Sequence, residues 1–201
     1  MIKNLIFDFG KVLVTYDFHS PLDAWGMTPR ERQDFEDSIL SMEWTLKIDK
    51  GEKSFGEYIE ELKGLYPHIA KYFQRVYDEY AGFITGEMPG MYDLLTRLKA
   101  DGYKLYGLTN WSETIYQFLD KYLVFRLLDG MVISSEEKMI KPDLEIYYRI
   151  CEKFGLKPEE CLFTDDKPVN VEAAKQMGMQ GIVFRNALQF EEELAPFLGA
   201  V

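Results

Sequence analysis

The stretch NLIFDFGKVLV, residues 4–14, decides how the rest of the chain is read. A short run this rich in Ile, Leu, Val and Phe reads as a strand buried on both faces. Asp8 stands in the middle of it. A carboxylate inside such a strand is costly unless something pairs with it. The strand therefore ends at Asp8 and presents it in a crevice.

From residue 88 onward, helix and strand alternate. GMYDLLTRLKADGY carries Met91, Leu94, Leu95 and Leu98 at helical spacing and stops at Gly102. KLYGLTN follows as a strand, TIYQFLDKY as a short helix and GMVISS as a second strand. DLEIYYRICEKFG is a helix closed by Gly155, CLFTDD a strand, NVEAAKQMG a helix ended by Gly178, and GIVF a last strand. Alternation at this spacing implies parallel strands joined by right-handed crossovers. Residues 16–87 differ. Three segments read as helical, with Thr28-Pro29 and Ser54 as helix starts, and no strand is expected among them. They form a helical insertion between the first strand and the alternating unit.

The strands share a feature: polar groups at their carboxyl ends. These are Asp8, Thr109-Asn110, Ser134-Ser135 and Asp165-Asp166. Open parallel sheets bind ligands there, where strand order reverses. Asp8 with Asp165 and Asp166 would make a hard, oxygen-only site suited to Mg²⁺. A carboxylate is also a credible nucleophile toward phosphorus. Thr109 offers a hydroxyl, and the amides of Thr109 and Asn110 lie at a strand-to-helix turn, which equally suits a helix cap. Lys141, before Pro142, could pair with both nucleophile and phosphate. Lys11 is either a second substrate-facing cation or a lysine that is solvated or touches the helical insertion. Trp25, Trp44, Phe55 and Tyr58 are expected to form the insertion's own small core, and His19 to lie at a surface or hinge.

Composition sets the outer limits. The 201 residues carry 23 basic and 34 acidic side chains, a formal net charge of −11. That balance argues against nucleic acid or an anionic membrane as partner, and it obliges a phosphate substrate to find a local cation. Two cysteines and two histidines leave no disulfide framework, zinc cluster or His-based triad. No apolar stretch approaches the roughly 20 residues that span a bilayer, and Asp8 interrupts any signal-peptide layout. A cytoplasmic monomer or homodimer acting on a small phosphorylated metabolite is the expectation.

IFDFGKVL, LTN, KP and FTDDKPVN match, in order and spacing, the four motifs of the haloacid dehalogenase-like superfamily. The resemblance spans essentially the whole chain and is nearest the sugar-phosphate phosphatases that include bacterial glucose-1-phosphatase. It implies an α/β Rossmann-like core of about five parallel strands, residues 1–15 and 88–201, with an all-helical cap at 16–87. It also implies Mg²⁺-dependent hydrolysis of a small phosphomonoester, such as a sugar phosphate, through an aspartyl-phosphate. By position, Asp8 matches the nucleophile and a metal ligand, and Gly10 the residue whose backbone carbonyl binds the metal. Thr109 and Asn110 match the phosphate-binding motif, Lys141 the third motif and Asp166 the direct metal ligand of the fourth. Asp165 and Asn170 match that motif's supporting groups.

Gly10 is a departure. Most phosphatases of the superfamily carry an aspartate there as general acid, a role worth typically 10²–10⁴-fold. The glucose-1-phosphatase-like subgroup tends to have glycine. Water, a cap residue, Lys11 or an easily expelled leaving group must then deal with the proton, and His19 is a further candidate. Two rival readings follow: a 2-haloacid dehalogenase, whose chemistry has no use for the acidic pair, and a weakened phosphometabolite-binding protein.

Overall fold

Leu5 and Phe7 pack on one side of the first strand and Ile6 on the other, all three fully buried. That double burial makes β1 (Asn4–Phe7) the centre of a sheet. The computed structural model describes residues 1–198. After β1 come β2 (Val14–Tyr16) and the helices α1 (Ser20–Asp23), α2 (Pro29–Ile39), α3 (Met42–Lys50), α4 (Phe55–Leu65) and α5 (Ala70–Glu79). The chain returns through β3 (Ile84–Glu87) to α6 (Met91–Ala100), β4 (Lys104–Thr109), β5 (Gly130–Ile133) and α7 (Ser134–Glu137). It ends with α8 (Leu144–Phe154), β6 (Cys161–Asp165), α9 (Pro168–Gln176), β7 (Gln180–Val183) and α10 (Ala187–Leu194).

The main sheet has the order β5-β4-β1-β6-β7, with every neighbouring pair parallel, as the alternating pattern implies. β4 and β5 lie on one side of β1, β6 and β7 on the other. Strand order therefore reverses beside β1, and the crevice at its carboxyl end is the expected ligand site. Asp8 follows β1 directly. Thr109 closes one flanking strand and Asp165 the other.

Thr28 and Ser54 start α2 and α4 with full capping boxes, each hydroxyl accepting from the N3 amide while the N3 glutamate reaches back. α3 was not expected. It is framed by Ser41, whose hydroxyl accepts from Trp44 N–H, and by Gly51 in the left-handed region at φ 67°. Trp25, Trp44, Phe55 and Tyr58 are buried as expected, but not in a separate core. Their apolar cluster continues from the insertion onto the face of the sheet that holds Leu5 and Phe7.

Two expectations need correcting. Residues 16–87 do contain strand: Tyr16 and Ile84–Glu87 belong to an antiparallel ribbon of β2 and β3, with an irregularity between Thr15 and Tyr16. Strands this short show no period, and their partner lies across the whole insertion. TIYQFLDKY is not an α-helix but successive 3-10 turns, Glu113–Gln117 and Leu119–Lys121. Thr114, Ile115, Tyr116 and Phe118 are β-branched or aromatic and weak helix formers, so burial of Thr114, Ile115 and Phe118 decides the local path.

Candidate active site

Lys141 is only 3% exposed, and all three of its ammonium protons are engaged. Nζ donates to Asp8 Oδ1 at 2.7 Å, to Asp165 Oδ2 at 2.6 Å and to the Leu108 carbonyl at 2.9 Å. Asn110 fixes the backbone that carries it. Its Nδ2 donates to the Lys141 carbonyl at 2.9 Å, and its Oδ1 accepts from Lys141 N–H at 2.8 Å. The Asn110 side chain is thus a clamp between two strand-end loops. Asp165 is also fully committed: Oδ2 accepts from Asn170 Nδ2 at 2.9 Å as well as from Lys141, and Oδ1 from Lys167 N–H at 2.8 Å. It orients Lys141 and the loop after β6.

One oxygen from each of Asp8, Asp165 and Asp166 can be chosen so that all lie within 4.8 Å of one another. Three carboxylates against one buried ammonium leave an excess of two negative charges. Burial, opposed by Lys141 and reinforced by Asp165, pushes the Asp8 carboxyl up to about 6. Burial and then Asp165 also raise Asp166. Burial opposes the Lys141 ammonium, but Asp8 and Asp165 outweigh it and raise its pKa. The Gly10 carbonyl accepts no hydrogen bond among the described residues. An all-oxygen donor set with a two-charge deficit fits a hard divalent cation such as Mg²⁺.

Asp8, Lys141 and Asp166 line a cavity of about 330 Å³ together with Gly10, Thr109, Asn110 and Lys167, and Asp165 lies buried behind them. The Thr109 hydroxyl is buried and has no partner within the protein, so an anion there would meet a free donor. Lys11 is absent from the lining. Its exposed ammonium sits 5.6 Å from the centre of the Tyr16 ring, and Lys167 is the second cation at the cavity instead.

The family model for haloacid dehalogenase-like hydrolases matches residues 2–178. The chain belongs to that family. It is 32% identical over 108 residues to the chloroplastic flavin mononucleotide hydrolase 1 of Arabidopsis thaliana, covering 54% of this chain and 44% of that one. It is 34% identical over 110 residues to a sesquiterpene phosphatase of Aspergillus oryzae, covering 54% and 56%. The chain thus matches about half the length of these curated relatives. A HAD family enzyme from Bacteroides thetaiotaomicron, solved in complex with magnesium and inorganic phosphate, shares the fold with a TM-score of 0.74 at 24% identity, over 93% of this chain and 96% of that one.

In this haloacid dehalogenase-like hydrolase, the surroundings of Gly10 leave little room for a side chain. A Cβ there would stand 2.8 Å from Tyr16 Cε1 and 3.3 Å from Trp111 Cζ3. Tyr16 and Trp111 meet edge to face, with ring centroids 6.1 Å apart, and occupy the space a longer side chain would need. Sequence reading missed these two rings, Lys167, and Asp49 of α3, which also lines the cavity. Ser41 and Gly51 were the signal for α3, and with it for Asp49. His19 lines the outer wall, half engaged by Glu36 at 3.3 Å.

Proposed function

We propose that this chain hydrolyses a small phosphomonoester through an aspartyl-phosphate on Asp8. The observation that supports it best is the Asp8 carboxylate, held by Lys141 beside an acidic pair and facing a cavity with an unpartnered Thr109 hydroxyl. Asp8, Asp166 and the Gly10 carbonyl would hold Mg²⁺, which supplies charge neutralisation at the phosphoryl oxygens when bound. Asp8 attacks phosphorus in line with the departing alcohol, and water then hydrolyses the acyl phosphate. Lys141 keeps Asp8 ionised and aimed; with its three protons engaged, it acts by charge and orientation. Thr109 donates to a phosphoryl oxygen. Attack on carbon, as in a dehalogenase, would leave the two-charge excess without use.

The proposed division is a catalytic core, 1–15 and 88–201, under a cap, 16–87, that excludes water and selects the substrate. The cap wall is mostly apolar, with Phe18, Leu22, Phe35, Phe55 and Val76 among its lining. Such a wall favours an alcohol with hydrocarbon or aromatic surface over a free sugar. The relatives named as a flavin mononucleotide hydrolase and a sesquiterpene phosphatase support phosphate-ester chemistry of this kind.

The test is phosphate release from aryl, prenyl, nucleoside and sugar monophosphates, with Mg²⁺, with a chelator, and with Asp8→Asn. Turnover that needs both metal and Asp8, and ranks the apolar esters above the sugar phosphates, is the expected result. Turnover of no ester by folded protein in Mg²⁺ overturns the reading.

A further inference from the structure

With Gly10 in place of an acid and Tyr16 and Trp111 filling the space beside it, the loop after the first strand offers no carboxylic acid at that position for the departing alcohol. The acidic side chains that line the cavity are Asp8, Asp166 and Asp49. The first two belong to the proposed nucleophile and metal set. Asp49 comes from the cap.

Its position is fixed from the core. Ser134, fully buried at the end of β5, accepts from Trp111 N–H at 2.9 Å and donates to the Asp49 carbonyl at 2.5 Å. Two residues on, Gly51 passes so close that a Cβ would stand 2.4 Å from the Ser135 carbonyl oxygen. The last turn of α3 is therefore seated on the strand end, backbone against backbone. The Asp49 carboxylate itself makes no hydrogen bond among the described residues, although it is half-buried and faces the cavity. An acid in the last turn of a helix also faces the negative end of the helix dipole. A carboxylate placed against local stability, unpaired and aimed into a site, is the pattern of a functional group.

From this geometry we infer that Asp49 is the general acid of the first step and the general base of the second, a cap-borne replacement for the acid missing at Gly10; the inference rests on the phosphomonoesterase reading. In the first step an Asp8 oxygen bonds to phosphorus, the bond from phosphorus to the alcohol oxygen breaks, and that oxygen keeps the electron pair and takes the Asp49 proton. In the second step the Asp49 carboxylate takes a proton from water as the water oxygen bonds to phosphorus. The Asp8–phosphorus bond then breaks, its electron pair returns to Asp8, and inorganic phosphate leaves.

The surroundings suit both protonation states. Burial pushes the Asp49 carboxyl up to about 7, with Lys167 and Lys141 pulling down and Asp8 pushing up. Tyr16 and Tyr80 are the other titratable groups that feel its charge. Glu136 and Glu137 of the neighbouring α7 are engaged elsewhere, by Tyr116 and by Arg149 and Lys153. Lys47 and Lys50 of α3 pair with Glu43 and Glu52.

The experiment compares wild type, Asp49→Asn and Asp49→Glu on aryl and alkyl monophosphates of graded leaving-group pKa. Binding of inorganic phosphate with Mg²⁺ by calorimetry serves as the check that the variant site is intact. The expected result is a loss in Asp49→Asn of about 10²–10⁴-fold for alkyl esters and under about tenfold for p-nitrophenyl phosphate. The basic limb of the wild-type pH profile should also vanish, and Asp49→Glu should restore part of the alkyl activity. A loss of equal size for every leaving group, no loss at all, or an unchanged pH profile overturns the assignment. Wild type that turns over no ester, or turnover that survives Asp8→Asn, overturns the phosphatase reading and this inference with it.

Discussion

Restoring a side chain at position 10 should damage this protein rather than improve it. Gly10→Ala adds one methyl group, 2.8 Å from Tyr16 Cε1 and 3.3 Å from Trp111 Cζ3. Tyr16 also packs on Phe18, at 5.2 Å between ring centroids, and on Trp111, so moving it breaks both contacts. Overpacking of this kind costs about 1–3 kcal/mol. For a domain of this size each kcal/mol lowers Tm by roughly 2–4 °C. Gly10→Ala should therefore melt about 2–12 °C below wild type, and Gly10→Asp at least as far below. In a Tyr16→Ala background the same Gly10→Ala change should cost much less, since the nearest clash is gone; the double-mutant cycle measures that coupling. Turnover of poor leaving groups by Gly10→Asp should not exceed wild type. Unchanged Tm together with faster turnover in Gly10→Asp would refute the steric account and show that the missing acid alone sets the rate.

Three further outcomes follow from the charge cluster. Asp8, Asp49 and Asp166 all have raised carboxyl pKa values, to about 6 for Asp8 and about 7 for Asp49. The folded protein therefore binds protons that the unfolded chain does not, and in chelator its urea midpoint should be higher at pH 5 than at pH 8; a midpoint that rises with pH across that window contradicts the assignment. Lys141→Met leaves Asp8 and Asp165 buried without their cation and should cost about 3–5 kcal/mol at neutral pH with loss of turnover; denaturant unfolding that matches wild type would show that the ion pairs are not needed for folding. Asp166→Asn should abolish the rise in Tm on adding Mg²⁺, whereas an intact rise would place the cation elsewhere.

The alternating half of the fold was legible because its constraints are local. An apolar run that stops at a charge, and glycines that close helices, can be read one segment at a time. The strand ends bring Asp8, Thr109 and Asp165 together for the same reason: parallel topology puts all carboxyl ends on one edge. What stayed hidden depends on distant pairs. β2 and β3 make sense only once Val14 meets Glu87 across the insertion. Asn110 looks like an anion-binding residue in sequence, yet its side chain is spent on the Lys141 backbone, a contact that no spacing reveals. Lys11, which follows Gly10 directly with a left-handed backbone at φ 61°, lies 5.6 Å from the centre of the Tyr16 ring, while Lys167 lines the cavity wall.

The formal charge of −11 and an anionic substrate are reconciled at the site rather than over the surface. Exposed charges farther than a Debye length, about 8 Å at physiological salt, are largely screened from the cavity. The cluster of Asp8, Asp165 and Asp166 is not screened in that way, because it is largely buried and Lys141 offsets only one of its three charges. Left alone, that cluster repels a phosphoryl group and raises the pKa of the Asp8 carboxylate. A divalent cation removes both obstacles, since it balances the remaining two charges and favours the ionised form of Asp8. Lys141 could not do so by itself: its protons are already committed, and its work is to keep two like charges together.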